Sequence, residues 1–144
     1  MKLYFYRGKG KLFDKLVRIW TSSKYSHVEC VIENNTYTAN FDGVKRIKYK
    51  YYDPKEWDMI QIGLRDYKKA ESFLVEQVGK KYDFKGIFLT FIFPFKSHNR
   101  DKWFCSELCA EVLKRDNFEL SKRSSRYSPK GLFKELYKII TEDY

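Results

Sequence analysis

Among the side chains able to act as nucleophile or base, Cys105 and His27 carry the strongest suggestion of chemistry. Cys105 opens a run in which Cys105, Leu108, Cys109 and Val112 recur at helical spacing, so its thiol falls at a helix beginning. There the helix dipole and unpaired amides favour the thiolate. His27 lies in an alternating stretch, where an imidazole can take the thiol proton and later return it to a leaving group. More than half the chain separates the two, so only the fold can bring them to the roughly 2.6–3.2 Å that such chemistry needs. On residue type alone, an ordinary buried cysteine and a strand histidine remain the commoner explanation. Cys30 has the opposite strand parity from His27, and Cys109 stands one helical turn beyond Cys105; packing explains both. His98 sits in a polar stretch and is expected in solvent.

The elements that must position this pair follow from periodicity. Strands are predicted from Leu3 to Tyr6 and from Ser26 to Glu33, the latter with His27, Glu29 and Val31 on one face and Val28, Cys30 and Ile32 on the other. Asn34–Asn35 reads as a turn into a second strand from Thr36 to Phe41, a hairpin that returns beside His27. Asp42–Gly43 turns the chain into a strand from Val44 to Tyr51, and Trp57 to Leu64 offers another. Helices are predicted from Lys11 to Trp20, with Leu12, Leu16, Ile19 and Trp20 inward, and from Tyr67 to Val78, with Ala70, Phe73, Leu74 and Val78 buried. Gly79 ends the second helix. Phe84 to Phe95 reads as a further apolar helix and Lys96 to Lys102 as a loop. The helix from Phe104 to Arg115 has Glu107 near its start and Lys114–Arg115 near its end, matching the dipole. After a polar loop from Ser121 to Ser128, Pro129 starts a last helix that buries Leu132, Phe133, Leu136 and Ile140.

Three words then occur in a telling order: Ser26-His27-Val28-Glu29, Gly79-Lys80-Lys81-Tyr82-Asp83 and Phe104-Cys105-Ser106-Glu107-Leu108. Together with Ser128-Pro129-Lys130-Gly131-Leu132, they resemble the circularly permuted NlpC-like papain-fold proteins, over nearly the whole chain. The resemblance implies one α+β domain over residues 1–144, of permuted papain-like (NlpC-type) topology with a central antiparallel sheet. It also implies a thiol-dependent amidase or peptidase, with Cys105 as nucleophile and His27 as base. Some relatives resemble cell-wall peptidases, and the lecithin retinol acyltransferase branch handles lipid acyl groups. The family supplies a third polar residue on the strand after the histidine. Here Thr36-Tyr37-Thr38-Ala39-Asn40 holds no acid or histidine, so Asn40 is the preferred orienter and Thr38 the alternative. Tyr25 and Tyr82 are expected to shape the substrate pocket, and Glu107 to line it or pack beside the nucleophile. Asp83 is expected to brace the next helix.

Composition bounds the rest. A 144-residue chain with 19% aromatic residues can bury an ordinary core and is not a disordered one. Two histidines and three scattered cysteines offer no zinc cage or disulfide framework, so no metal, cofactor or staple is expected. The net charge of +10 is spread through both halves and attracts anionic polymers without selecting one. No helix-turn-helix, zinc finger or phosphate loop accompanies it. No secretory signal or membrane-length apolar run is found, so a cytoplasmic or host-cytoplasmic protein is expected, with phage virion association as an alternative setting. The expected partner is a peptide or peptidoglycan fragment. A lipid acyl substrate handled as thioesterase, phospholipase or acyltransferase, or an inactive binding protein, are the competing readings.

Overall fold

A computed structural model describes residues 1–10, 12–82 and 102–142. Its architecture is mixed α and β. Five strands, β1 (Lys2–Tyr6), β2 (His27–Ile32), β3 (Asn35–Asn40), β4 (Gly43–Lys48) and β5 (Trp57–Gln61), form an antiparallel sheet in the order β4-β3-β2-β1-β5. Helices α1 (Leu12–Thr21), α2 (Tyr67–Gln77), α3 (Cys105–Arg115) and α4 (Pro129–Glu142) accompany it. A short parallel pair joins β6 (Lys81–Tyr82) to β7 (Lys102–Trp103), just before α3.

Strand alternation sorts the side chains as the sequence predicts. Leu3, Phe5, Val28, Cys30, Ile32, Tyr37, Ala39 and Ile60 enter the main core with Leu108, Val112, Leu132 and Leu136 of α3 and α4. Burying each such aliphatic side chain is worth about 1.5–3 kcal/mol, so α3 is fixed firmly against β2. The opposite face is more polar. His27 and Glu29 of β2 share it with Thr36 and Thr38 of β3, and Tyr4, Val31, Tyr52 and Trp57 form a small aromatic cluster there.

The hairpin between β2 and β3 turns at Glu33–Asn34, one residue earlier than the Asn34–Asn35 expected, and Asn35 already pairs with Ile32. Glu33 takes the left-handed conformation that the turn requires, with φ of 52°. At the next hairpin Gly43 has φ of 99°, and a Cβ there would stand 2.4 Å from the Lys80 carbonyl. That contact is close because Val44 N–H donates to the same carbonyl, closing the sheet against the end of α2.

Three expectations are corrected. The strand predicted to run to Tyr51 stops at Lys48, because the chain then crosses the sheet to stack Tyr52 on Tyr4. Ile19 is 71% exposed whereas Val17 of the same helix is buried, as two residues along a helix turn about 200°. On α2, Gln77 rather than Val78 completes the buried stripe, and Val78 lies just past the helix end before Gly79, whose φ is 89°. The helix expected from Phe84 to Phe95, His98 and the rest of the adjoining loop up to Asp101 lie outside the described residues, while Lys102, expected in that loop, begins β7. Among the described residues, no helix is long and apolar enough to cross a membrane.

Candidate active site

Cys105 is the first residue of α3 and is buried, and Phe104 before it supplies no side-chain cap. The first-turn amides are therefore not consumed by a capping oxygen, and their partial positive charge falls where the thiol stands. Ser106 is committed elsewhere: its hydroxyl donates to the Tyr127 carbonyl at 2.5 Å, tying the helix start to the loop before α4. Glu107, in the same first turn, is 2% exposed and packed inside.

His27 opens β2, and its imidazole is near enough to Cys105 for that sulfur to be the leading favourable influence on its charge. Burial alone would disfavour an imidazolium here. The Cys105 sulfur, as thiolate charge and hydrogen-bond partner, and then Glu29 outweigh that penalty and raise His27 from 6.5 to about 10. The fold thus favours the charged imidazolium beside Cys105. Its Nε2 stands 3.0 Å from Thr38 Oγ1 and 3.4 Å from Glu29 Oε1. Burial pushes the Glu29 carboxyl up, but His27 and then Lys50 hold it down at about 2. Tyr52 OH donates to Glu29 Oε2 at 2.7 Å, and Lys50 Nζ lies 2.8 Å from the same oxygen.

The residues singled out from sequence separate into two groups. Thr38 touches the His27 ring. Asn40, two positions along the same face of β3, lines the cleft, and its Oδ1 accepts from Asp42 N–H at 3.0 Å. Tyr25 packs between Phe5 and Phe133, and its hydroxyl donates to Asp58 at 2.5 Å, so it braces the approach to β2 from within the core. Of Tyr82 only the backbone, in β6, is described. Glu29 was read as a face-mate of His27 and not as its partner. The signal was the two-residue spacing itself, which on a strand sets both side chains on one face. Lys50 and Tyr52 had no such signal, since the crossing that delivers them is not local.

A cleft of about 620 Å³ opens at His27 and Glu29, with Tyr6, Asp14, Asn40, Phe41, Lys50 and Trp57 among its walls, and the buried Cys105 is not one of its lining residues. A larger groove of about 1000 Å³ lies between the end of α3 and α4, and none of its lining residues belongs to the Cys105–His27 group. Cys30 and Cys109 are buried free thiols whose pKa values burial raises, Cys30 to about 12. Among the described residues, no cluster of His, Cys, Asp and Glu is arranged to hold a metal ion. Compared with protein-family models and with curated proteins, the chain finds no match in either.

Proposed function

We propose that the chain is a cysteine hydrolase of permuted papain-like (NlpC-type) topology that cleaves an amide bond in a small peptide or cell-wall peptide. The observation that carries this reading is the Cys105–His27 pair, formed at the start of a buried helix and backed by an ionised Glu29. Because Nε2 of His27 is engaged by Thr38 and Glu29, Nδ1 is the ring nitrogen left for the thiol. Cys105 thiolate attacks the carbonyl carbon, and the oxygen takes up the electron pair beside the uncapped amides of α3. His27 gives its proton to the departing amine as the C–N bond breaks, leaving a thioacyl enzyme. Water then loses a proton to His27, its oxygen attacks the thioester, and the acid product leaves with Cys105 restored.

The cleft favours a peptide over an acyl chain, since Asp14, Ser26, Asn40, Lys50 and Glu56 interrupt its aromatic lining. The lipid alternative would need an apolar wall such as the aromatic stretch from Phe84 to Phe95, which lies outside the described residues. Intact-mass analysis after incubation with peptidoglycan fragments and with defined lipid donors tests both. A peptide-derived adduct on Cys105 is expected. Acylation by lipid donors alone would replace the proposed substrate, and absence of any adduct or turnover by folded, reduced protein would overturn the hydrolase.

A further inference from the structure

Glu29 is only 4% exposed, and a carboxylate so enclosed is driven toward its neutral form unless other groups hold its charge. Two donors converge on Oε2, from Tyr52 OH and Lys50 Nζ, leaving Oε1 to face the His27 ring. Neither donor is loosely placed. Tyr52 stacks on Tyr4 with ring centroids 3.8 Å apart and planes 8° apart, and its oxygen lies 3.2 Å from Thr36 Oγ1. Lys50 Nζ stands 5.1 Å from the Tyr52 ring centroid and 5.2 Å from that of Trp57, an aromatic seat for the ammonium. The chain alternates beyond β4, so that Tyr51 between them is 79% exposed while Tyr52 is buried. This crossing segment delivers two side chains to one oxygen of one carboxylate.

We propose that Lys50 and Tyr52 are positioning residues that keep Glu29 ionised and aimed at His27, and so set the acid side of Cys105 reactivity. The proposal rests on the thiol-hydrolase reading and names what controls that site. The charged and titratable groups facing Glu29 are His27 on its own strand and Lys50 and Tyr52 from the crossing segment, while Cys109 of α3, in the core beneath the sheet, feels its charge only at a distance. Tyr4 of β1 acts through Tyr52, and Thr38 of β3 adds a neutral hydroxyl at the His27 ring. Loss of the Lys50 charge raises the Glu29 pKa. Glu29 then takes up a proton as pH falls, the imidazolium loses its counter-charge, and the pair fails at a higher pH than before.

Two readouts test this on the full chain. The carboxyl ¹³C resonance of Glu29, assigned with Glu29→Gln, follows its charge between about pH 3 and about pH 7. It should stay ionised in the wild type, whereas Lys50→Met should move its midpoint up by about two pH units and Tyr52→Phe by about one. Iodoacetamide alkylation of Cys105, followed by mass spectrometry, should show its acid limb rising with that midpoint in both variants. The loss of rate should be greatest at low pH and shrink as Glu29 ionises, and Lys50→Arg should restore both profiles. An unmoved Glu29 titration, or a rate lowered equally at every pH, would overturn the proposal. A wild-type Cys105 that alkylates no faster than Cys30 would instead overturn the thiol reading, while the Glu29 titration still decides whether Lys50 and Tyr52 hold its charge.

Discussion

Three cysteines of one chain differ here only by their surroundings. Cys30 sits among apolar side chains beside Met1, with its Sγ 3.2 Å from the Met1 sulfur, and burial suppresses its thiolate. Cys105 has a helix start and an imidazole. Cys105→Ser should therefore cut acylation by at least about 10³-fold in single-turnover measurements, because a hydroxyl is far less readily ionised. His27→Ala should cost about 10²–10⁴-fold in the same assay. Cys30→Ser and Cys109→Ser should keep Cys105 labelling, and normal acylation in both Cys105→Ser and His27→Ala would sink the mechanism. Thr38→Val removes the hydroxyl that touches His27, whereas Asn40→Ala leaves the ring contacts intact. The first should lower acylation about tenfold and the second less. Cys105 and His27 could be singled out from sequence through the ordered family-like motifs around them, whereas residue type alone favoured a packed cysteine and a strand histidine. The carboxylate behind them was legible only in part, because parity gives a shared face and says nothing of which neighbour completes it.

Elements carry the precision that single residues need. The Asp116 carboxylate, at the end of α3, accepts from the backbone N–H groups of Arg65 at 2.7 Å and Asp66 at 2.8 Å. Asp66 in turn caps α2 by accepting from Lys69 N–H at 2.9 Å. The far end of α3 is thus tied to the beginning of α2, and the whole helix is held along its length. Asp116→Ala removes the charged acceptor of two part-buried amides and should cost about 1–3 kcal/mol of stability by denaturant titration. Cys105 labelling per folded molecule should be unchanged, because the break lies three turns from the thiol. A large loss of labelling with stability preserved would contradict that division. Helix α3 itself was readable from its spacing, and the Pro129 helix start from a single residue type. The early end of β4 was not, since it depends on Tyr52 meeting Tyr4, a contact between distant parts of the chain. The one-residue shift at Glu33–Asn34 has a similar origin: Asn34–Asn35 looks the better turn locally, but pairing of Ile32 with Asn35 fixes the register.

At the scale of the molecule, the site's charges enter the stability of the fold as well as its chemistry. Glu29 is held at about 2 against an ordinary 4.5, so its contribution is present above 4.5 and lost as pH falls toward 2. The +10 chain gains further positive charge over the same acid range, which adds self-repulsion. His27 is raised to about 10 from 6.5, so its contribution is complete below 6.5 and drains away as pH rises through 10. Cys30 is raised to about 12 from 9.0, and above 9.0 the unfolded chain gains by ionising a thiol that the core keeps neutral. Buried phenols such as Tyr25, Tyr37 and Tyr52 are pushed up in the same sense and act at still higher pH. Thermal stability should consequently peak between 4.5 and 6.5, the ordinary values of Glu29 and His27, and fall first on the alkaline side as His27 is discharged. Differential scanning calorimetry across that range checks the order. In Glu29→Gln the imidazolium has lost its carboxylate neighbour, so the alkaline fall should begin at lower pH than in the wild type. Cys105→Ser removes the sulfur that also favours the charged ring and should shift it in the same direction. Alkaline limbs that superpose in all three proteins would mean that the pair contributes no measurable charge to folding.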